Sequence, residues 1–205
     1  MRRLAIGMMV LLGAAAARAA DCGSLVRSAD GLSVDLAPPS GYVDVCADKE
    51  LCKKLTHGYD AATVSTLAYL VPQSEWPKPA DAPPPGGFKR YLIAQLAPSK
   101  KPENLAALKA LIRSQTAVPA AKLGEVLAKD GQASLGVLDE TPTSISFGAA
   151  MKRDPGVLAM SNTAMVLKNR VLSLYVYANL AGAEKIAELK DLTNRWIGCL
   201  RAANP

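Results

Sequence analysis

The sequence predicts an α+β protein: a mostly antiparallel β-sheet of about six strands packed by helices on both faces, an α/β/α sandwich. Three observations predict it. Segments with strand character follow one another through short turns, as in antiparallel hairpins. The longer helical patterns fall in the middle and at the end of the chain. The segment 171–177 is apolar on both faces, so a strand there needs cover on both sides.

Residues 1–20 have the three parts of a cleavable secretion signal. Arg2-Arg3 gives a positive start, residues 4–17 are uncharged and apolar, and Ala17-Arg18-Ala19 offers small residues to a signal peptidase. A membrane-spanning helix needs about 20 apolar residues, more than this run contains. We therefore expect cleavage, a periplasmic location and no membrane span in the mature chain. Asp21 directly before Cys22 argues against a lipid-modified cysteine.

The mature chain, residues 21–205, is predicted to form a single globular α+β domain. The whole sequence is 50% hydrophobic and 20% charged, which is typical of globular proteins. The formal net charge of +6 falls to +3 once the signal and its three arginines are removed. No lysine or arginine cluster longer than two remains, whereas nucleic-acid binding usually needs a basic stripe. Nucleic acid is therefore excluded as a partner.

Four cysteines, Cys22, Cys46, Cys52 and Cys199, remain in the mature chain. In an exported protein they predict two disulfides, for which three connectivities can be drawn. Cys46 and Cys52 are close enough for a local bridge at the start of a helix, and elimination then leaves Cys22 with Cys199. The second bridge would be worth on the order of 4 kcal/mol in the chain-entropy model. Because no C-x-x-C occurs and His57 is the sole histidine, neither a redox pair nor a zinc site is favoured. We expect no metal and no cofactor.

The first half of the chain contains three predicted strands and one helix. Strands are expected over 41–46, 63–71 and 88–96, with a short helix over 49–56. Between the last two strands lies a loop over residues 72–87, which contains six prolines and ends in two glycines. That composition predicts an extended, partly polyproline connection.

The second half adds helices and hairpins. In chain order it is predicted to contain a helix that starts after Pro102, a helix over 120–129, strands over 135–139 and 144–151, a hairpin of 162–167 and 171–178, and a final helix over 183–200. Within 144–151, Phe147 and Ala149 alternate with Ser146 and Gly148, which predicts one face in the core and one toward water or a thin cover. Asn169 suits the positive φ of a tight hairpin turn.

The hairpin from Ala164-Met165-Val166-Leu167 to Leu172-Ser173-Leu174-Tyr175-Val176-Tyr177, followed by the helix through Trp196, resembles the PsbP/Mog1 group of α/β/α sandwich proteins. The likeness is in the order of elements rather than in a motif. The mature chain is also similar to bacterial exported proteins of unknown function. Known members of the group are mostly accessory or binding proteins without a shared catalytic constellation, so the resemblance implies no site residues.

The chain contains no G-x-S-x-G, S-x-x-K, G-x-G-x-x-G or calcium-loop pattern. His57, beside Tyr59 and Asp60, could serve as a base or ligand, but a lone histidine after a helix fits a capping role better. Asp139 and Glu140 are adjacent on a predicted strand, so they point to opposite faces and cannot readily share a site.

Trp76, inside the Pro-rich loop, is the first candidate for an interaction site, because large apolar anchors dominate interfaces. The competing interpretation, in which Trp76 folds back over the sheet, is favoured since an exposed tryptophan is costly. Together with Trp76, His57 and Tyr59 complete the set of candidate interaction residues. Core or cross-strand packing is the favoured interpretation of Tyr59, Tyr69 and Tyr91.

These observations favour an exported, non-enzymatic accessory or binding protein of the periplasm, whose partner is an envelope protein or a small ligand. The alternative is a small periplasmic hydrolase or isomerase whose carboxylate and tyrosine groups come together only in the fold. A pocket lined by carboxylates would favour the enzyme, whereas an exposed aromatic surface would favour the binding protein.

Overall fold

The computed structural model describes residues 21–56, 64–76, 88–97, 101–154 and 156–205. The predicted signal, residues 1–20, lies outside these ranges. The described part has the predicted α+β content. Its strands are β1 (Val26–Ala29), β2 (Leu32–Asp35), β3 (Tyr42–Asp44), β4 (Ser65–Pro72), β5 (Arg90–Leu96), β6 (Gln132–Thr141), β7 (Ser144–Lys152), β8 (Val157–Leu167) and β9 (Arg170–Leu180). Its α-helices are α1 (Lys49–Thr56), α2 (Asn104–Arg113), α3 (Leu123–Asp130) and α4 (Ile186–Ala203).

Seven of these strands form one antiparallel sheet in the order β3-β4-β5-β9-β8-β7-β6, and β1 and β2 form a separate hairpin. The sequence-based estimate of about six strands was therefore too low. The hairpin was missed although Asp30-Gly31 connects its strands with φ of 49° and 77°, a typical two-residue turn. Strand β8 also starts five residues earlier than the predicted 162.

The Pro-rich loop differs from its prediction at its start. Pro72 is the last residue of β4, where it pairs with Tyr42 on the short edge strand β3, and Gln73–Glu75 forms one turn of 3-10 helix. Proline is tolerated at this strand end because the pairing of β4 with β5 already ends at Leu70, two residues earlier. Residues 77–87 of the loop lie outside the described ranges. The other tight turn follows its prediction, since Lys168 and Asn169 adopt φ of 45° and 62° between β8 and β9.

Strand β9 separates the side chains of the sheet into two sets, because successive residues of a strand point to opposite faces. Leu172, Leu174 and Val176 belong to the core cluster that contains Trp196, and we call that side of the sheet the Trp196 face. Tyr175 and Tyr177 pack with a different cluster, and we call their side the tyrosine face.

The N-terminal and C-terminal segments of the described chain contact each other on the Trp196 face. Trp196 is fully buried, and its indole Nε1 donates a hydrogen bond of 2.9 Å to the carbonyl oxygen of Leu36, just after β2. A disulfide between Cys22 and Cys199 connects the start of the described chain to α4. The side-chain amide of Asn204 donates to the Asp35 carbonyl at 2.7 Å. The β1–β2 hairpin is thereby fixed to the C-terminal helix.

Buried hydroxyls between α4 and the sheet are all paired. Ser161 on β8 lies 2.6 Å from the Thr193 hydroxyl, which also donates to the Leu189 carbonyl at 2.8 Å. Ser146 and Thr163 form a second buried pair at 2.7 Å on neighbouring strands. Pairing removes the cost of burying these polar groups, so small polar residues can line a closely packed face.

Two short segments cover parts of the tyrosine face. Val45 and Leu55, at the start and the end of the segment that contains α1, pack against Tyr69 and Tyr91. The second disulfide, between Cys46 and Cys52, closes this segment on itself. The carboxylate of Asp44 accepts a hydrogen bond from the backbone N–H of Tyr69 at 3.2 Å and pairs with an arginine of β1. Both disulfides follow the connectivity that elimination indicated.

Helix α2 covers the other end of the tyrosine face. Leu105 and Ile112 pack with Ile145, Ala164 and Val171, which come from three adjacent strands. None of the helices in the described ranges is long and apolar enough to cross a membrane.

Candidate functional site

A row of six side chains crosses the tyrosine face from one edge region of the sheet to the other. In strand order from β4 to β6, its directly opposed members are Tyr69, Ile93, Tyr175, Asn162, Phe147 and Val137. Exposure rises along the row, from 0% at Tyr69 to 41% at Val137. The cover supplied by the segment with α1 therefore ends near β9.

A second row runs beside the first, through Tyr91, Tyr177, Met160 and Ala149. Tyr91 is buried, whereas the other three are half-buried. We define the open patch as the half-buried members that β7, β8 and β9 contribute to the two rows. They are Phe147, Ala149, Met160, Asn162, Tyr175 and Tyr177. None of the six is charged, so the patch is an apolar surface around the amide of Asn162.

The tyrosines of the open patch are held by a continuous series of ring contacts, which we call the aromatic ladder. Ring centroids lie 6.4 Å apart between Tyr175 and Tyr177, 4.5 Å between Tyr177 and Tyr91, and 5.3 Å between Tyr91 and Tyr69. The last two pairs are stacked within 13° and 5° of parallel. Such contacts add to simple burial. The half-buried rings therefore rest on a buried aromatic base and keep a fixed orientation.

The ladder continues to the predicted interaction residue Trp76. Tyr69 contacts Phe88 with centroids 6.3 Å apart, and Phe88 contacts Trp76 at the same distance. Trp76 is half-buried and packs against the buried cluster of the tyrosine face. The other two candidates, His57 and Tyr59, lie outside the described residues. Tyr69 and Tyr91 are buried packing residues, as their strand positions predicted.

Asn162 lies between two residues that belong to different apolar clusters. Its cross-strand neighbour Tyr175 packs with the aromatic cluster, and its neighbour on the other side, Phe147, packs with the cluster under α2. The Asn162 amide makes no hydrogen bond with any residue in the described ranges. By contrast, the Asn179 amide donates to the Phe88 carbonyl at 2.8 Å. Asn162 thus has unused donor and acceptor capacity at the surface.

Carboxylates of the sheet are engaged elsewhere. Glu140 accepts a hydrogen bond of 3.1 Å from Arg113 of α2, and this contact holds the pKa of Glu140 below its usual value. Asp139 lies 3.5 Å from Arg201 of α4. The adjacent pair therefore binds different helices, as the alternation of strand side chains predicts. Within the described ranges, no three His, Cys, Asp or Glu side chains come together as a metal site would require.

On β7, small polar residues are buried and some large apolar residues are exposed, the reverse of the usual pattern for a strand. Ser144, Ser146 and Gly148 face the packed side and are buried, whereas Phe147 is half-buried and Met151 is 43% exposed. A side-chain carbon placed on Gly148 would lie 3.0 Å from Leu135 Cβ, so small residues permit this close packing. Sequence reasoning missed the open patch for this reason. The signal that could have revealed the patch is the alternation on β7 of small residues, which allow close packing, with larger apolar residues on the other face.

No protein-family model matches the chain, and no curated protein matches it either. Its function is therefore inferred from the residues of the open patch.

Proposed function

We propose that this chain is an exported, non-enzymatic binding protein of the periplasm that holds a neutral ligand on the open patch. The observation that carries the proposal is the open patch itself: six half-buried, uncharged residues on three neighbouring strands whose other face is buried. Contiguous apolar surface on a rigid scaffold is typical of a binding site. The aromatic ladder favours the same role because rings held in place lose little entropy when a ligand binds.

Export is supported by two independent features. The pattern of residues 1–20 is that of a secretion signal, and both disulfides belong to an oxidising compartment such as the periplasm. If the signal is cleaved, Cys22 lies near the new N-terminus. Its disulfide then holds that end of the mature chain against α4.

We also propose that residues 21–205 form one domain of the α/β/α type, as in the PsbP/Mog1 group. Trp196 of α4 packs with even-numbered residues of β9, whereas Leu55 of α1 packs with its odd-numbered tyrosines. Ile112 of α2 packs with Val171, which is also odd-numbered. These contacts support cover by helices on both sides of the sheet.

Binding is favoured over the hydrolase or isomerase alternative by the chemistry of the open patch. An acid–base enzyme of the kind considered needs a carboxylate within reach of a tyrosine hydroxyl. The open patch contains two tyrosines and no carboxylate. Asp44, Asp139 and Glu140 are each paired with an arginine instead.

The binding role is tested with the neutral apolar dye N-phenyl-1-naphthylamine, whose fluorescence rises on apolar surfaces. The protein is produced with its signal and purified from the periplasm. Tyr175→Ser and Met160→Ser each remove on the order of 60 Å² of apolar contact, so each should weaken dye binding about tenfold. Leu111→Ser is the matched control, since Leu111 is 62% exposed on α2 and lies outside the patch. Equal affinities for the patch variants and the control would refute the proposal.

Export is tested separately by the intact mass of the periplasmic protein. We expect a mass that lacks residues 1–20 and contains no free thiol. A protein that retains Met1, or that carries four free cysteines, would contradict the proposed compartment.

A further inference from the structure

We propose that Asn162 selects the ligand of the open patch, and that this ligand is a small neutral molecule with a flat apolar body and an amide group. The inference rests on the proposed binding function. It is drawn from three features of the patch: the position of Asn162 between two aromatic residues, its free amide, and the size and charge of the surface around it.

The first feature is the spacing of the two aromatic neighbours. Phe147 and Tyr175 are the direct cross-strand partners of Asn162, so they lie two strand spacings, about 10 Å, apart across the sheet. Stacked aromatic groups have centroids about 4.5–7 Å apart, so a span of about 10 Å accommodates one planar group between two rings. Phe147 and Tyr175 pack into separate clusters, the first under α2 and the second with the aromatic ladder.

The second feature is the hydrogen-bonding capacity of Asn162. A side-chain amide offers one acceptor oxygen and two donor hydrogens. None of these is used within the described residues. A ligand that presents a donor beside an acceptor, as an amide does, would satisfy both functions at once. A hydrocarbon of the same shape would leave them unsatisfied, and it would bind more weakly.

The third feature is the absence of charge from the patch. Its six residues are aromatic, aliphatic, thioether or amide side chains. A charged ligand would lose hydration there without gaining a counter-charge, which is costly. The ligand is therefore neutral where it contacts the sheet.

Size separates a small molecule from a protein partner or a second copy of this chain. Three strands and two to three alternate positions along them cover on the order of 200 Å² of sheet. A standard protein interface needs about 800 Å² on each partner. With the exposed neighbours Val137 and Met151, which continue the same face, the estimate rises to about 260 Å², still well below that size. The surface therefore suits one ring system better than a standard protein interface.

The test compares three probes with the same ring system: 1-naphthamide, naphthalene and 1-naphthoate. Each displaces N-phenyl-1-naphthylamine from the wild type, from Asn162→Leu and from the control Leu111→Ser. Leucine has nearly the shape of asparagine without its hydrogen-bonding groups. Two hydrogen bonds to Asn162 correspond to about a tenfold preference for naphthamide over naphthalene. We expect that preference in the wild type and in Leu111→Ser, with naphthoate the weakest of the three.

In Asn162→Leu, naphthamide should weaken about tenfold while naphthalene stays within about twofold. If naphthalene binds the patch and the amide preference is absent from the wild type, or persists in Asn162→Leu, the assignment of Asn162 is wrong although the binding function stands. If neither naphthalene nor the dye responds to Tyr175→Ser, the binding function itself fails. A concentration-dependent dimer in sedimentation that Tyr175→Ser dissociates would replace the small ligand by a second copy of the chain.

Discussion

The two faces of β7, β8 and β9 use the same backbone in different ways. On the Trp196 face, the adjacent residues Gly148, Ser161 and Val176 are all buried. The neighbouring residues of the same strands, which point to the tyrosine face, form the open patch and are half-buried. They include Asn162, whose amide has no hydrogen-bond partner in the described chain. On these strands the Trp196 face is buried throughout and combines small residues with Leu172 and Leu174, whereas the tyrosine face is only partly covered. Stability is therefore expected to depend on the first face and binding on the second.

The difference lies in what covers each face. The Trp196 face is covered by the 18-residue helix α4 and by the β1–β2 hairpin, which a disulfide and hydrogen bonds fix to it. The tyrosine face is covered by α1 at one end and α2 at the other, with 8 and 10 residues. The middle of the sheet stays partly open between them.

The largest expected effect compares the two disulfides. Cys22 and Cys199 are 177 residues apart and Cys46 and Cys52 are 6 apart, so the chain-entropy model gives losses of about 5 and about 2 kcal/mol on removal. Each disulfide is removed by replacing both of its cysteines with serine, and urea unfolding at one pH measures the loss of stability. The loss should be larger for the Cys22–Cys199 disulfide. A larger loss from the short bridge would mean that the tyrosine face carries more of the stability than its cover indicates.

The next effect compares one aromatic residue from each face. Trp196→Ala removes a fully buried ring and its hydrogen bond to Leu36, and should cost about 3–5 kcal/mol of unfolding free energy. Tyr175→Ala removes a half-buried ring and should cost about 1 kcal/mol. Chemical denaturation of both variants measures these two losses of unfolding free energy. Comparable losses would contradict the division between the faces.

A pH effect on stability is expected at Asp35, beside the Trp196 face. Burial raises the pKa of Asp35, but hydrogen bonds from the Leu25 N–H, the Ser24 hydroxyl and the Ala37 N–H outweigh it, so the folded-state pKa lies below the ordinary value. A depressed carboxyl pKa stabilises the fold above the unfolded-state value of about 3.9, and this contribution is lost as pH falls through the folded-state pKa.

Urea unfolding of wild type and Asp35→Asn between pH 7 and pH 2 tests this linkage. The stability difference between the two proteins should be largest near neutral pH and shrink below pH about 4. A constant difference across the range would show that the carboxylate charge contributes nothing.

The smallest stability effect belongs to Asn162. Since its amide has no hydrogen-bond partner in the described chain, Asn162→Leu should change the unfolding free energy by no more than about 0.5 kcal/mol. A loss above about 1.5 kcal/mol would show that the amide supports the fold rather than a ligand. The same denaturation curves serve as the folding control for the binding test.

Local signals in the sequence were enough for much of the architecture. The predicted helix over 49–56 coincides with α1, and the turn at Lys168-Asn169 follows from the tolerance of asparagine for positive φ. The β1–β2 hairpin was missed because two four-residue strands carry little periodicity, although Asp30-Gly31 marks their turn.

The open patch could not be predicted, because burial on β7 depends on close packing by Leu135 and by α4 rather than on the polarity of β7 itself. Serine and glycine are buried there because they are small and, for Ser146, because Thr163 pairs with the hydroxyl. The position of Asn162 as the polar centre of an apolar surface likewise follows from register across three strands. Register depends on the turns that join the strands as well as on the apolar pattern, and the connection from β7 to β8 was not predicted because β8 begins at Val157 rather than at residue 162.

If the chain is exported as proposed, the contacts between the β1–β2 hairpin and α4 set an order of events during its passage across the membrane. Residues near position 22 and position 36 leave first, yet their contacts, Cys199, Trp196 and Asn204, lie among the last residues to emerge. The Trp196 face therefore cannot close while the C-terminus is still in transit. Such a chain stays unfolded enough to be translocated until its C-terminus has crossed, and the disulfide between Cys22 and Cys199 then forms in the periplasm.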